Sequence, residues 1–170
     1  MERQPTLQDD RIILTPLKTA EFEELLDIAS DPLIWAQHPN PNRWQRGVFR
    51  TYFDGALASG GAFMIRDKAH RNAIGSTRFY DHDAEASEIK IGYTFFSRNQ
   101  WGNGTNQRVK KLMLDHAFQY VRQVIFHVGA QNMRSRIAMQ RLGAELIGEE
   151  EVAYFGEQPK RNVVFRITAP

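Results

Sequence analysis

Two glycines lie where an extended segment passes into a helix. Residues 88–96 form a mostly apolar extended run, a polar turn follows, and Gly102 and Gly104 come directly before an amphipathic stretch. The first N–H groups of a helix have no acceptor within the helix and carry roughly half a positive charge. Glycine permits positive φ and lets a ligand approach the backbone closely. The pattern therefore predicts a binding site for an anion, above all for a phosphate group.

Few side chains offer proton-transfer chemistry. Glu88 begins the extended run, and a later buried-type strand is continuously apolar except for His127. Either side chain could act as a general base, and His38 is a weaker candidate. Each also has a structural explanation, since Glu88 could be a surface carboxylate and His127 a hydrogen-bonded core residue. The chain contains no cysteine, which excludes a cysteine acyl-enzyme, disulfides and thiolate metal sites, and we expect no metal.

Aromatic and basic residues indicate a second site. Residues 31–44 are loop-like and rich in aromatic side chains, and such loops are often functional lids, although the two tryptophans could instead fill the core. Two strands add further polar and aromatic groups. The residues expected at this second site, which in a group-transfer enzyme would be the acceptor site, are Trp35, His38, Trp44, Arg78, Tyr80 and Lys90. If Arg78 and Lys90 face inward, the site is cationic and favours a ligand with a carboxylate over a polyamine.

Hydrophobic periodicity predicts the elements that position these residues. Strands are expected at 11–17, 62–67, 73–80, 86–96, 124–128, 145–155 and 162–167, and helices at 20–29, 45–59, 104–122 and 132–142. This order predicts a single α/β (α+β) domain over residues 1–170, with residues 1–10 loose. The sheet is expected to be mixed, mostly antiparallel, with about six to seven strands, and flanked by about four helices.

Composition narrows the classes of function. The net charge of +2 and the pI near 9.0 are only mildly basic, and no long run of Lys and Arg occurs, which argues against nucleic-acid binding. No window approaches the roughly 20 apolar residues that span a bilayer, and the first residues lack a signal-peptide core. We expect a cytoplasmic protein without a nucleic-acid or membrane partner, and a homodimer stays an open alternative.

Three segments together resemble the GNAT superfamily of acyl-CoA N-acyltransferases, in particular its RimJ/RimL-like branch, which acetylates N-terminal amines of ribosomal proteins. Residues 11–17 and the following helix are similar to the opening strand and helix of that branch. Ile91-Gly92-Tyr93, with Trp101-Gly102-Asn103-Gly104 after it, is similar to its central strand and pyrophosphate loop. The stretch from Asn132 to Gly143 is similar to its N-x-x-S-x-x-x-x-x-x-L-G helix. The matches span nearly the whole chain.

The resemblance implies an N-acetyltransferase that uses acetyl-CoA, and it assigns contacts with coenzyme A. The central strand would hold the pantetheine arm, the glycine loop would hold the pyrophosphate, and Asn132 would bind near the cysteamine end. The loop has Asn99 where the family has Gln or Arg, so one phosphate contact is either lost or supplied by Arg98. The residues expected to bind the cofactor are Tyr93, Thr94, Phe95, Arg98, Trp101, Gly102, Asn103, Gly104, Thr105, Asn106, Asn132, Ser135 and Arg136.

Two departures from the family pattern concern catalysis. Lys90 stands where a glutamate is common, and Glu88, on the same face of the strand, could replace that base through a water. Met139 stands where a tyrosine acid is common, so the departing thiolate would take its proton from water or from Ser135. The catalytic candidates are Glu88, His127 and Ser135, and the expected reaction is direct attack by a primary amine, of a protein N-terminus or a small molecule, in a ternary complex. The alternative is a CoA-binding domain of the same fold that lacks activity.

Overall fold

The structure is a computed structural model that describes residues 1–154 and 156–170. The strands of the described chain are β1 (Leu7–Gln8), β2 (Ile12–Pro16), β3 (Ala62–Asp67), β4 (Ala73–Asp83), β5 (Glu88–Phe96), β6 (Gln123–Gly129), β7 (Glu145–Val152) and β8 (Lys160–Thr168). Its α-helices are α1 (Phe22–Ala29), α2 (Pro32–Trp35), α3 (Arg46–Ser59), α4 (Thr105–Ala117) and α5 (Met133–Arg141). None of these helices is long and apolar enough to cross a bilayer.

The strands form one sheet in the order β1-β2-β3-β4-β5-β6-β8-β7. Neighbouring strands are antiparallel except for β5 and β6, which are parallel. This confirms the predicted mixed, mostly antiparallel sheet. The described chain has one strand and one helix more than expected, because β1 and α2 are too short to produce a periodic pattern.

Three predicted boundaries need correction. Residues 1–10 are not loose throughout, since Leu7 and Gln8 pair with β2. Helix α4 ends at Ala117 instead of residue 122, because Val121 enters the core ahead of β6. Strand β7 ends at Val152, and Phe155, the predicted end of this strand, lies outside the described residues.

Helices cover both faces of the sheet. On one face, α4 and α5 pack against an apolar cluster that includes Val109, Met113 and Met139. On the other face, α1, α2 and α3 surround a cluster rich in aromatic rings, among them Phe49 and Phe53. Each fully buried side chain of this size contributes roughly 1.5–3 kcal/mol through the hydrophobic effect. The middle of the sheet is therefore covered on both faces.

The parallel strands β5 and β6 pair only along the first part of β5. Its register contains Glu88 with Gln123, Ile89 with Val124 and Lys90 with Ile125, and both strands continue beyond these pairs. On the other edge of β5, Ser76 pairs with Phe95 and Arg78 with Gly92, so Tyr93 and Thr94 together oppose Thr77. This is a β-bulge, and Tyr93 lies in it with a φ of +53°. A bulge bends its strand, so β5 turns away from β6 and opens a gap in the sheet.

A buried ion pair joins the segment before α3 to the connection between β7 and β8. Arg43 donates to Glu157 through Nε at 2.8 Å and through Nη2 at 2.7 Å, and both side chains are nearly inaccessible. Removing one partner leaves the other charge buried without compensation, which costs about 3–5 kcal/mol.

We expect Glu157→Ala to lower the free energy of unfolding by about 3–5 kcal/mol in urea titrations. Glu23→Ala is the matched control, because Glu23 pairs with Arg46 on the surface, where each side chain is more than 60% exposed. Its loss should be much smaller than that of Glu157→Ala, because solvent screens an exposed ion pair. Equal losses in the two variants would contradict a structural role for the buried pair.

Candidate active site

The glycine corner before α4 is open. Gly102 and Gly104 have φ of +74° and +86°, and a Cβ placed on either residue would meet no atom within 4 Å. The first helical hydrogen bond runs from the Arg108 N–H to the Gly104 carbonyl at 3.1 Å, so the amides of Asn106 and Gln107 precede the helical ladder. These features fit the predicted anion site: left-handed backbone, free space in front of it, and N–H groups at a helix start.

Two polar residues of the loop shape the turn from within. The Thr105 amide donates to Asn103 Oδ1 at 3.1 Å, and the Thr105 hydroxyl donates to Gln100 Oε1 at 2.9 Å. Thr105 is buried. Both residues therefore use their polar groups to hold the loop in place.

A cavity of about 730 Å³ runs from the glycine corner into the gap between β5 and β6, and we call it the long cleft. Helix α5 closes one side of it, beginning at Asn132, whose Oδ1 accepts from the Ser135 amide at 3.3 Å. This cleft brings together most of the residues expected to bind coenzyme A. Those that line it are Tyr93, Thr94, Phe95, Trp101, Gly102, Gly104, Asn106, Asn132 and Ser135.

Two arginines expected to contact phosphate have other partners. Arg98 forms an ion pair with Asp31, and Arg136 donates through Nη1 to the Ala130 carbonyl at 2.9 Å. Neither they nor Asn103 and Thr105 are among the residues that line the long cleft. Their assignment as ligands from the sequence thus lacks support in the structure.

Arg134, and not the predicted Arg136, is the arginine at the start of α5 that lines the long cleft. Its guanidinium lies 3.7 Å from the centre of the Trp101 ring, donates to the Ile34 carbonyl at 3.1 Å, and lines the long cleft. Burial lowers the pKa of Arg134 from its ordinary value. The sequence indicates a basic residue in the first turn of α5, but two arginines, Arg134 and Arg136, lie there. Only their positions around the helix axis decide which of them faces the cleft.

A second cavity of about 480 Å³, the side cavity, lies against α3, β4, β5, β6 and β7. Three of the residues expected at the acceptor site line it: Arg78, Tyr80 and Lys90. Trp35 and His38 line the long cleft instead, and Trp35 is a buried core residue whose Nε1 donates to the Ala29 carbonyl. Trp44 is 38% exposed and belongs to neither lining. The aromatic loop thus contributes to the site through Trp35 and His38.

The side cavity carries mixed charge. Lys90 forms an ion pair with Asp81 at 3.1 Å, and the carboxylates of Glu150 and Glu151 line the same space as the buried Arg78. The expectation of a cationic site is therefore corrected, because residues of β7 that are remote in sequence supply carboxylates. The side cavity therefore gives no preference for an acceptor that carries a carboxylate.

Tyr93 and His127 line both cavities. The His127 side chain is 5% exposed, with Nε2 at 2.6 Å from Glu150 Oε1 and Nδ1 at 3.4 Å from the Tyr80 hydroxyl. Burial lowers the pKa of His127, and this effect is larger than that of Glu150, which raises the same pKa. Burial also holds the pKa of Tyr80 well above its usual value. A neutral imidazole that donates from Nε2 to the carboxylate leaves Nδ1 free to accept a proton.

Glu88 lies apart from this group. It accepts from Gln123 Nε2 at 3.0 Å at the start of the parallel pair and lines neither cavity. The structure thus brings His127 and Ser135 to the cavities and leaves the third catalytic candidate outside them. Glu150 escaped sequence reasoning because its contact with His127 depends on how β7 pairs with β8 and β8 with β6.

We expect an imidazole pKa below 6.5 for His127 when it is followed by NMR. In Glu150→Gln this pKa should fall further, because the carboxylate stabilises the imidazolium and its removal favours the neutral ring. Glu149→Gln is the control, since Glu149 pairs with Arg161 on the surface and should leave the titration unchanged. A rise of the pKa in Glu150→Gln would refute the described contact.

Comparison with known proteins identifies the family. Residues 11–145 match the Acetyltransferase (GNAT) domain, whereas no curated protein matches the chain. Similar solved structures include a GCN5-related N-acetyltransferase from Brucella melitensis (20% identity, 99% of this chain and 80% of that chain, TM-score 0.79) and an acetyltransferase from Agrobacterium tumefaciens (23%, 97% and 95%, 0.72). Mycobacterium smegmatis RimJ in complex with CoA-disulfide is also similar (16%, 97% and 86%, 0.71). At these identities the structures establish the fold, and the domain match shows that the chain belongs to the GNAT acetyltransferase family.

Proposed function

We propose that this acetyltransferase moves the acetyl group of acetyl-CoA to a primary amine by direct attack in a ternary complex. The observation that carries the proposal is the meeting of the long cleft and the side cavity at Tyr93 and His127. The acetyl donor would enter from the cleft and the amine from the side cavity. The sequence offers no cysteine to hold the acetyl group, which favours a single transfer.

The long cleft suits coenzyme A. Its volume falls within the range of about 300–1,000 Å³ typical of ligand sites. The N–H groups at the start of α4 would bind the pyrophosphate, and Arg134 would add a cation near Trp101. The backbone of β5 around the bulge would hold the pantetheine arm, and a strand N–H there could stabilise the oxyanion that forms during transfer.

His127 is the proposed general base. An amine must lose a proton before it can attack, and Nδ1 of the neutral imidazole could take that proton through the Tyr80 hydroxyl or a water. Glu150 would then stabilise the imidazolium that results. Lys90, which replaces the glutamate common in the family, is neutralised by Asp81. Together with the family membership, this arrangement favours catalysis over a CoA-binding domain without activity.

The strength of this base bears on the class of acceptor. Burial lowers the pKa of His127, so this base is better matched to an α-amine, with a pKa of about 7.7–8.0, than to a lysine amine at about 10.4. Deprotonating the lysine amine would cost roughly 3.5 kcal/mol more. We therefore propose an α-amine acceptor, such as a peptide N-terminus or a small α-amine. This agrees with the RimJ/RimL-like branch inferred from the sequence.

Coenzyme A binding provides the first test. We expect Gly104→Val to weaken binding by at least about tenfold in calorimetry, because a branched side chain would fill the open space in front of the loop and strain its backbone. Gly143→Val is the control: Gly143 also has positive φ and free space around it but lies outside the long cleft. Equal affinity in both variants, or no binding by the unchanged protein, would overturn the donor site.

A peptide with a free N-terminus and one internal lysine tests the reaction itself. We expect acetylation at the α-amine, mapped by mass spectrometry, and a loss of about 10²–10⁴-fold in kcat/KM in His127→Ala. The Glu149→Gln variant should keep its activity. Preferred acetylation of the lysine would contradict the α-amine proposal. A protein that binds coenzyme A and acetylates no amine in a broad panel would support the inactive alternative.

A further inference from the structure

A buried lysine lies in the long cleft without an ionic partner. Lys110 of α4 is 3% exposed and lines the cleft, and its Nζ donates to Thr94 Oγ1 at 2.6 Å. No carboxylate in the described part of the chain forms an ion pair with it. An ammonium group has three donors, and a charge buried without compensation is costly. The arrangement suits a ligand that supplies negative charge at this point of the cleft.

Lys110 faces the reaction gap from the α4 side. Its Nζ bonds to the neighbour of Tyr93 on β5 and lies 6.0 Å from the ring of Phe126, the neighbour of His127 on β6. Thr94 Oγ1 is also 2.8 Å from the Thr77 hydroxyl, which contacts Met113 of α4. Tyr93 and His127 line the side cavity as well as the long cleft, whereas Lys110 lines the long cleft alone. The ammonium group and the proposed base therefore stand at the same level of the gap, on opposite faces of the sheet.

Acetyl transfer requires a proton on each side of the reacting carbonyl. The acceptor ammonium gives one proton to His127, the amine nitrogen then forms a bond to the carbonyl carbon, and a second proton leaves to solvent as the amide forms, which keeps one N–H. The carbon–sulfur bond then breaks, its electron pair goes to sulfur, and the thiolate takes one proton to become the thiol of coenzyme A. If the amine arrives from the side cavity, the sulfur must lie on the α4 side of the gap. Met139, at the position of the family's usual tyrosine acid, has no proton to give.

We propose that Lys110 is the catalytic acid, whose ammonium gives a proton to the departing sulfur of coenzyme A. The neutral amine that remains recovers a proton from solvent, while His127 releases the one taken from the acceptor. This inference rests on the proposed function, because it requires acetyl-CoA in the long cleft.

The acidity of Lys110 fits the task. Burial alone lowers the pKa of Lys110 to about 7, whereas a free thiol has a pKa of about 8.5, so the proton passes downhill from nitrogen to sulfur. The groups that face Nζ from β4, β5 and β6, which are Thr77, Thr94 and Phe126, carry no charge. The titratable and charged residues that share the cleft with it are His38, Arg43, Tyr93, His127, Arg134, Arg141 and Tyr154.

The ionisation of bound coenzyme A tests this inference directly. Since the protein has no cysteine, the ultraviolet absorbance of a thiolate in the complex comes from coenzyme A alone. We expect the bound thiol to ionise at a lower pH than free coenzyme A, by a fraction of a pKa unit, because the part of Lys110 that is still ammonium above pH 7 stabilises the thiolate. In Lys110→Met this shift should vanish, and kcat with acetyl-CoA should fall by about 10²-fold.

Two further variants separate this role from general effects. Lys111→Met is the matched control, because Lys111 is the next residue of α4, has a side chain 74% exposed and pairs with Asp115. It should change neither the thiol titration nor kcat. Thr94→Val keeps the lysine but removes the hydroxyl that holds Nζ, so it should reduce the thiol shift even if Lys110→Met fails to fold.

The outcomes distinguish the inference from the function on which it rests. An unchanged thiol titration in Lys110→Met and Thr94→Val, with coenzyme A bound and the amine acetylated, overturns the role of Lys110 and leaves the proposed function intact. Failure of the unchanged protein to bind coenzyme A overturns both. Stoichiometric acetylation of Lys110 itself, seen in the intact mass, also overturns the inference, because an amide nitrogen cannot protonate sulfur.

Discussion

The separation of β5 from β6 after Lys90 and Ile125 is the constraint on which the rest of the structure depends. Paired strands would satisfy each other's backbone groups and close the sheet. The bulge at Tyr93 and Thr94 bends β5 away instead, and so leaves backbone of β5 along a gap that a ligand can enter. The positive φ of Tyr93 is held by the surrounding packing, including the bond from the Tyr52 hydroxyl to its carbonyl.

The gap gives the protein a site with two chemically different sides. On the α3 side, His127 is linked to a carboxylate and a phenol, which suits removal of a proton. On the α4 side, Lys110 is a buried amine that donates to the Thr94 hydroxyl and has no ionic partner in the described chain, which suits delivery of one. Helices pack on both faces, so both groups are buried, and burial tunes the pKa of each.

Structural features set by residues adjacent in the sequence could be predicted, whereas features set by the register between strands could not. Gly102, Gly104 and the helix start are local, so the open glycine corner before α4 could be predicted from the sequence. Periodicity likewise sufficed for the mixed sheet, but not for the two-residue β1 or the four-residue α2. Glu150 reaches His127 only through the pairing of three strands, and Lys110 reads as one more polar residue in an amphipathic helix until Thr94 is placed beside it.

A crystal structure of the protein with coenzyme A would show whether the gap between β5 and β6 is the donor site. We expect a pyrophosphate on the amides at the start of α4, a pantetheine arm in the gap between β5 and β6, and a sulfur atom between His127 and Lys110. Coenzyme A bound elsewhere on the surface, or a gap closed by further pairing of β5 with β6 in the complex, would contradict this assignment.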